Sequence, residues 1–178
     1  MSGDFELTMD ELRVVALYVV HHAEDVLPIF EQAVSEDPRP RAAVDAAREF
    51  INGANRTKLQ RITSLDAHRA ARSAPSEVAR LAARSAGDAA SAAYLHPIAK
   101  ASQVGHILRA SASVARIEEL LAGGDPAIGD ASLERSRQRA PSALIDVLRR
   151  YPSAPSARNR VARLMSKLDH ILRETAER

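Results

Sequence analysis

The sequence has no cysteine, no tryptophan, and only three phenylalanines and three tyrosines in 178 residues. Without thiols there is no disulfide framework and no thiolate metal site, which fits a reducing compartment. With so few rings, the stacking platforms that hold unpaired nucleic-acid bases are poorly supplied. The core has to be built from Ala, Val, Leu and Ile. Long apolar runs are lacking too. The longest uninterrupted aliphatic and aromatic stretch, Val14 to Val20, falls far short of the roughly 20 residues needed to cross a bilayer. The opening Met1-Ser2-Gly3-Asp4-Phe5-Glu6 is acidic and has no basic segment leading into an apolar one, so the expectation is a cytoplasmic protein with no membrane partner.

Catalytic signatures are also missing. There are six histidines, but no His-Glu-x-x-His motif and no paired Glu-x-x-His set of the kind di-iron bundles use. Neither Gly-x-Ser-x-Gly nor a Gly-x-x-x-x-Gly-Lys phosphate loop occurs. The sequence therefore implies no catalytic residue, no metal and no cofactor. His21 and His22 are adjacent and stand about 100° apart on a helix, too far round to chelate one ion together. His68 could be oriented by Asp66, and His96 before Pro97 could bond backbone groups freed at a break. Both read as structural residues. The rival reading is an enzyme or cofactor carrier built on His22, His68 and His96.

What the chain does have is helix after helix, without the two-residue alternation of strands. The organising stretch is Ser76 to Leu121. From Glu77 to Ala93 the only large aliphatics are Val78 and Leu81, so neighbouring helices can approach to the short end of the usual ~8 to 10 Å range. That suits a central position. His96-Pro97 interrupts the pattern, because proline disfavours a helical residue before it. A second core helix is expected from Ile98 to Leu121, stopping at Gly123-Gly124.

Before this pair, Thr8-Met9-Asp10-Glu11 is a capping box. In the helix that follows, Leu12, Val15, Val19, Val26 and Phe30 share an apolar arc, and Pro28 should bend it. Asp37-Pro38-Arg39-Pro40 ends it and starts the next, with Asp37 as cap and Pro38 in the first turn. A third helix, from Asn55 to about Ser73, carries Leu59, Ile62 and Leu65 on one side and Arg56, Lys58, Arg61, Arg69 and Arg72 around the rest. Beyond Gly124 come a short helix near Ala131 to Arg139, another from Pro141 to Arg150, and a closing amphipathic helix from about Ala157 to Glu174. The expected architecture is all-α, a compact single-domain bundle of six to eight helices over residues 1–178 with Ala-rich central helices.

A net charge of +2 conceals an uneven distribution. Residues 1–51 hold eleven acids and four Arg, whereas residues 52–178 hold twelve acids and twenty-one Lys or Arg. Either the two halves neutralise each other or they form oppositely charged faces, one of which meets a partner. Sequence leaves both open. Between residues 53 and 116 there are ten basic residues against three acids, which would bind phosphates if they lined one face. Arg69, Arg72, Arg80 and Arg84 recur on two different helices with no recognition-helix signature, so a nucleic-acid accessory protein is the weaker alternative.

Several blocks carry a resemblance. Asp10-Glu11-Leu12-Arg13, Ala23-Glu24-Asp25-Val26-Leu27-Pro28-Ile29-Phe30-Glu31, Asp37-Pro38-Arg39-Pro40-Arg41-Ala42-Ala43-Val44 and Ala67-His68-Arg69-Ala70-Ala71-Arg72 resemble the immunity-protein-5-like family, all-helical proteins linked to bacterial polymorphic toxin systems. Leu95-His96-Pro97-Ile98-Ala99-Lys100-Ala101 and Leu148-Arg149-Arg150-Tyr151-Pro152 are similar to an actinobacterial branch of it. The resemblance spans residues 7 to 122, and the remainder less closely. Many members carry a second histidine soon after the first in the central block. Here that place is Ile98-Ala99 and the next histidine is His106, which tells against a shared metal or acid–base role.

The resemblance implies a cytoplasmic antidote that binds a cognate protein toxin, without catalysis. A homodimer stays open. The sequence offers one docking face, since an acidic patch would attract a toxin that is itself basic enough to hold phosphates. Its residues are Asp10, His21, Glu24, Asp25 and Glu31 on the first helix, with Glu36 and Asp37 at its end. The competing reading is that these acids pair with arginines of the same chain.

Overall fold

The computed structural model describes residues 4–155 and 158–175. Among them are eight α-helices and no strand: α1 (Met9–Ala33), α2 (Arg39–Ile51), α3 (Lys58–Arg72), α4 (Glu77–Ser91), α5 (Val104–Leu121), α6 (Pro126–Arg139), α7 (Ser142–Arg149) and α8 (Arg160–Glu174). The all-α expectation therefore holds.

Side-chain caps set most of the starts. The Thr8 hydroxyl accepts from the Glu11 amide and Glu11 accepts in return from the Thr8 amide, which closes the expected box. Asp37 Oδ1 accepts from the Arg39 amide at 3.1 Å, and Pro38 has helical dihedrals. Pro28 is accommodated inside a continuous α1. Gly53, Gly123 and Gly124 take positive φ at helix ends, where a side chain would strain the backbone.

Three boundaries differ from expectation. α3 starts at Lys58 because Thr57 and Gln60 form a second capping box there. The helix expected from Ile98 begins only at Val104: residues 95–100 form a loop, and single 3₁₀ turns at Ala92–Tyr94 and Ala101–Gln103 flank it. α6 starts at Pro126, five residues early, because Asp125 caps the Ala127 amide at 2.9 Å. The expected start of the last helix at Ala157 lies outside the described residues, and α8 begins after Asn159, whose side chain caps Ala162.

α4 packs on α1, α2, α3 and α5, and α5 packs in turn on α1, α4, α6 and α8. Ala79, Ala82, Ala83, Ala86, Ala89 and Ala90 of α4 are all fully covered. Small side chains let four helices reach one helix. The larger buried cluster extends from Leu12 of α1 to Leu172 of α8.

α3 departs from its pattern. Its buried side is Gln60, Thr63, Ser64, Ala67, Ala70 and Ala71, while Leu59, Ile62 and Leu65 face outward at 41%, 54% and 52% exposure. The reason is steric. Lying against the small-residue α4, this helix needs small side chains at the contact, and its large ones point away.

Candidate functional site

The contact between α3, α4 and α5 encloses a polar seam. Asp88 of α4 is completely buried, and Arg109 of α5 donates to it from Nη2 at 2.8 Å and from Nε at 3.0 Å. Buried carboxylates are stable only when so paired. The Nε2 of His68 on α3 lies 3.7 Å from Asp88 Oδ1. Its ring occupies space left by Gly87, where a Cβ would approach within 2.9 Å. Burial pushes His68 below its ordinary pKa; Asp88 pulls the other way, and Arg109, Arg84 and Arg72 add to the depression. Burial and then Arg109 depress His106 likewise.

The Oγ of Ser91 sits 3.3 Å from His106 Nδ1 and donates to the Asp88 carbonyl at 3.0 Å. With one proton to give, the serine accepts from the imidazole instead of being activated by it. The contact is therefore architectural.

Outside this seam the surface is basic. Arg72 of α3 and Arg80 and Arg84 of α4 line, with His68 and Ala71, a hollow of about 260 Å³. Among the described residues none of these three guanidinium groups has a carboxylate, carbonyl or aromatic partner. Arg80 and Arg84 also border a cleft of about 360 Å³ against α8. Arg160, in the lining of that cleft, donates from Nε at 3.0 Å to Glu119, which is 1% exposed and also accepts from the Arg116 Nη1 at 3.2 Å. Those bonds, Arg160 first, hold its carboxyl below the usual range. Gly129 leaves the room, since a Cβ there would meet Glu119 Oε1 at 2.1 Å.

The residues singled out from sequence as an acidic docking face lie on α1 and the turn after it. Glu24 is bound by both arms of Arg48, with Nε at 2.7 Å. Glu31 takes Arg41 at 2.8 and 2.9 Å. Asp25 pairs with Arg139 and Asp10 with Arg13. Asp37 holds Arg39 at 2.8 and 2.6 Å, and these bonds lower its pKa. His21 and Glu36 are exposed. All four arginines of residues 1–51 are thus ion-paired within that half, and among the described residues the ion pairs that cross to the other are Glu11–Arg150 and Asp25–Arg139.

The histidines are distributed differently from their sequence assignments. Asp66 binds Arg69 at 2.7 Å, so His68 is oriented by Asp88 and not by Asp66. At the break, Gln103 Oε1 accepts from the His96 amide and Tyr151 donates to the His96 carbonyl. His96 therefore contributes its backbone there, while the Asp4 amide donates to the Pro97 carbonyl at 2.7 Å. His22 lies elsewhere, buried against α6. Its Nδ1 donates to the Tyr18 carbonyl at 2.8 Å and its Nε2 accepts from Ser136 at 3.0 Å. Burial drives its pKa down to about 4. Among the described residues no group of three or more His, Asp or Glu is placed to hold a metal, and no helix is long and apolar enough to cross a membrane.

Sequence reasoning missed the Asp88–Arg109 pair. Its signal was a lone carboxylate in the midst of an alanine run. Pairing it with an arginine twenty-one positions on required knowing how α4 crosses α5.

The family model described as Imm-5 like putative immunity protein matches residues 6–103, more than half of the chain and all of α1 to α4. No curated protein matches the chain, and no solved structure does.

Proposed function

We propose that this chain, which belongs to the Imm-5 like putative immunity protein family, binds a protein toxin in the cytoplasm and blocks it by covering surface, with no catalytic step of its own. The observation that carries the reading is the family match across residues 6–103. Residues 1–178 act as one unit in it, since α5 packs on α1 and α4 inside the matched segment and on α6 and α8 beyond it. The histidine seam supports binding over catalysis. Its carboxylate is neutralised by Arg109 and its serine donates to a main-chain carbonyl, which leaves no nucleophile paired with a base.

The test begins with affinity capture of partners from the native host. The captured chain, expressed alone, should arrest growth, and co-expression with this protein should restore it. A partner whose toxicity is unchanged by co-expression, or the absence of any toxic partner, removes the reading.

A further inference from the structure

Leu59, Ile62 and Leu65 are half of the six large apolar side chains exposed among the described residues, and all three belong to one helix. Single exposed aliphatics need no explanation. Three at spacings of three on one helix form a contiguous strip, the kind of surface that marks an interaction site. At 100° per residue, Lys58 and Arg69 lie on the same outward side as Ile62 and Leu65, and Arg61, His68 and Arg72 run down the edge toward α4. That edge continues into Arg80 and Arg84 around the hollow. Asp66, the acid of α3, is taken by Arg69.

From this we infer that the toxin docks on the outward face of α3 and the Arg80–Arg84 edge of α4, and that it meets them with an acidic surface carrying apolar side chains. The inference rests on the toxin-binding reading above and names the surface and the chemistry. Aliphatic side chains form the centre of such a contact and arginines its rim. Arg72, Arg80 and Arg84 would lose water on docking and have no carboxylate of their own, so the partner has to bring it. A nucleic acid would answer the arginines but gain nothing from Leu59, Ile62 and Leu65, and Tyr94, the ring beside Arg61, is already stacked by the guanidinium groups of Arg56 and Arg61. A second copy could not answer the arginines with α1, whose carboxylates are already bound within their own chain. α3 is fifteen residues long, about 22 Å at 1.5 Å per residue, which gives a partner an extended face to lie along.

The experiment places a photo-crosslinking amino acid at Leu65 in one full-length variant and at His21, on the acidic side of α1, in another, each expressed in the native host. At 65 the expected product is a covalent link to another protein, through a peptide rich in Asp and Glu, and at 21 no link. Combining the Leu65 probe with Arg72→Glu, Arg80→Glu and Arg84→Glu should abolish the link. Ile62→Asp should weaken binding of the captured chain at least about tenfold and abolish growth protection while leaving the melting temperature in place. A link at 21 but not at 65, with protection intact, overturns the surface assignment and leaves toxin binding standing. A link at 65 to a second copy or to nucleic acid overturns it as well. No protein linked at either position, together with no growth protection by the unmodified chain, overturns the toxin reading itself.

Discussion

Along α1 the carboxylates are answered by their own chain, whereas Arg72 at the end of α3 and Arg80 and Arg84 of α4 are not. Glu24 and Glu31 are seven residues apart, as are Arg41 and Arg48, and the antiparallel run of α2 beside α1 brings the two sets into register as two two-armed pairs. Arg72, Arg80 and Arg84 face a hollow with no acid in its lining. Charge that is spent inside the molecule contributes to holding two helices together. Charge left unspent costs little in water and becomes useful when something else supplies the counter-charge. The acids of α1 are therefore less available to a partner than Arg72, Arg80 and Arg84, although the acidic segment looked the more distinctive in composition.

The comparison can be broken hardest where an arginine is answered deep inside. Arg109→Leu leaves Asp88 charged and buried, and the expected cost is about 3–5 kcal/mol, read as a large drop in denaturation midpoint. Arg80→Leu in the same assay serves as the contrast.

His22 tests another answered group. Its pKa in the folded protein is about 4, below the unfolded value near 6.5. The unfolded chain therefore binds the proton first, and stability falls as pH drops from about 6.5 to about 4, then levels off for this residue. The loss is on the order of 3 kcal/mol, with His68 and His106 acting in the same direction. Urea titrations of the wild type and His22→Gln over that range should differ in slope, and parallel curves would show that His22 is not held neutral.

Packing gives the next step down. Ala92 is fully buried where α4 ends, and Ala92→Leu should cost about 1–3 kcal/mol because the added methylenes have no room. A variant that melts with the wild type would remove this region from the core. On α1, Glu24→Lys with Glu31→Lys sets like charges against Arg48 and Arg41. A loss of about 0.5–1 kcal/mol per pair is expected, shrinking in high salt. The smallest effect belongs to the unanswered side: Arg80→Gln with Arg84→Gln should move stability by less than about 0.5 kcal/mol. A larger loss would mean that these side chains are engaged after all.

Most of the helical architecture was legible because its signals are local. A capping box, a proline in the first turn and a glycine pair each act within four residues. The central place of α4 could also be read, since only a helix of small side chains suits close neighbours on several sides. The orientation of α3 could not. Its aliphatic strip obeys the spacing of a buried face, but what turns it outward is the thinness of α4, a property of a different segment. The Glu24–Arg48 and Glu31–Arg41 pairs were in principle visible in the matched seven-residue spacings, once α1 and α2 are taken as an antiparallel hairpin. The site at α3, α4 and α5 depends on how helices cross, and no local pattern encodes that.

The crowding around α4 also limits where this helix can change over evolutionary time. Ten of its fifteen residues are buried against four other helices, so most substitutions there are tested by the whole bundle at once. Arg80 and Arg84 escape that test because their side chains reach the hollow between helices. They can be exchanged, one charge for another, while the scaffold stays as it is. Recognition can therefore diversify at the edge of a helix that is otherwise fixed.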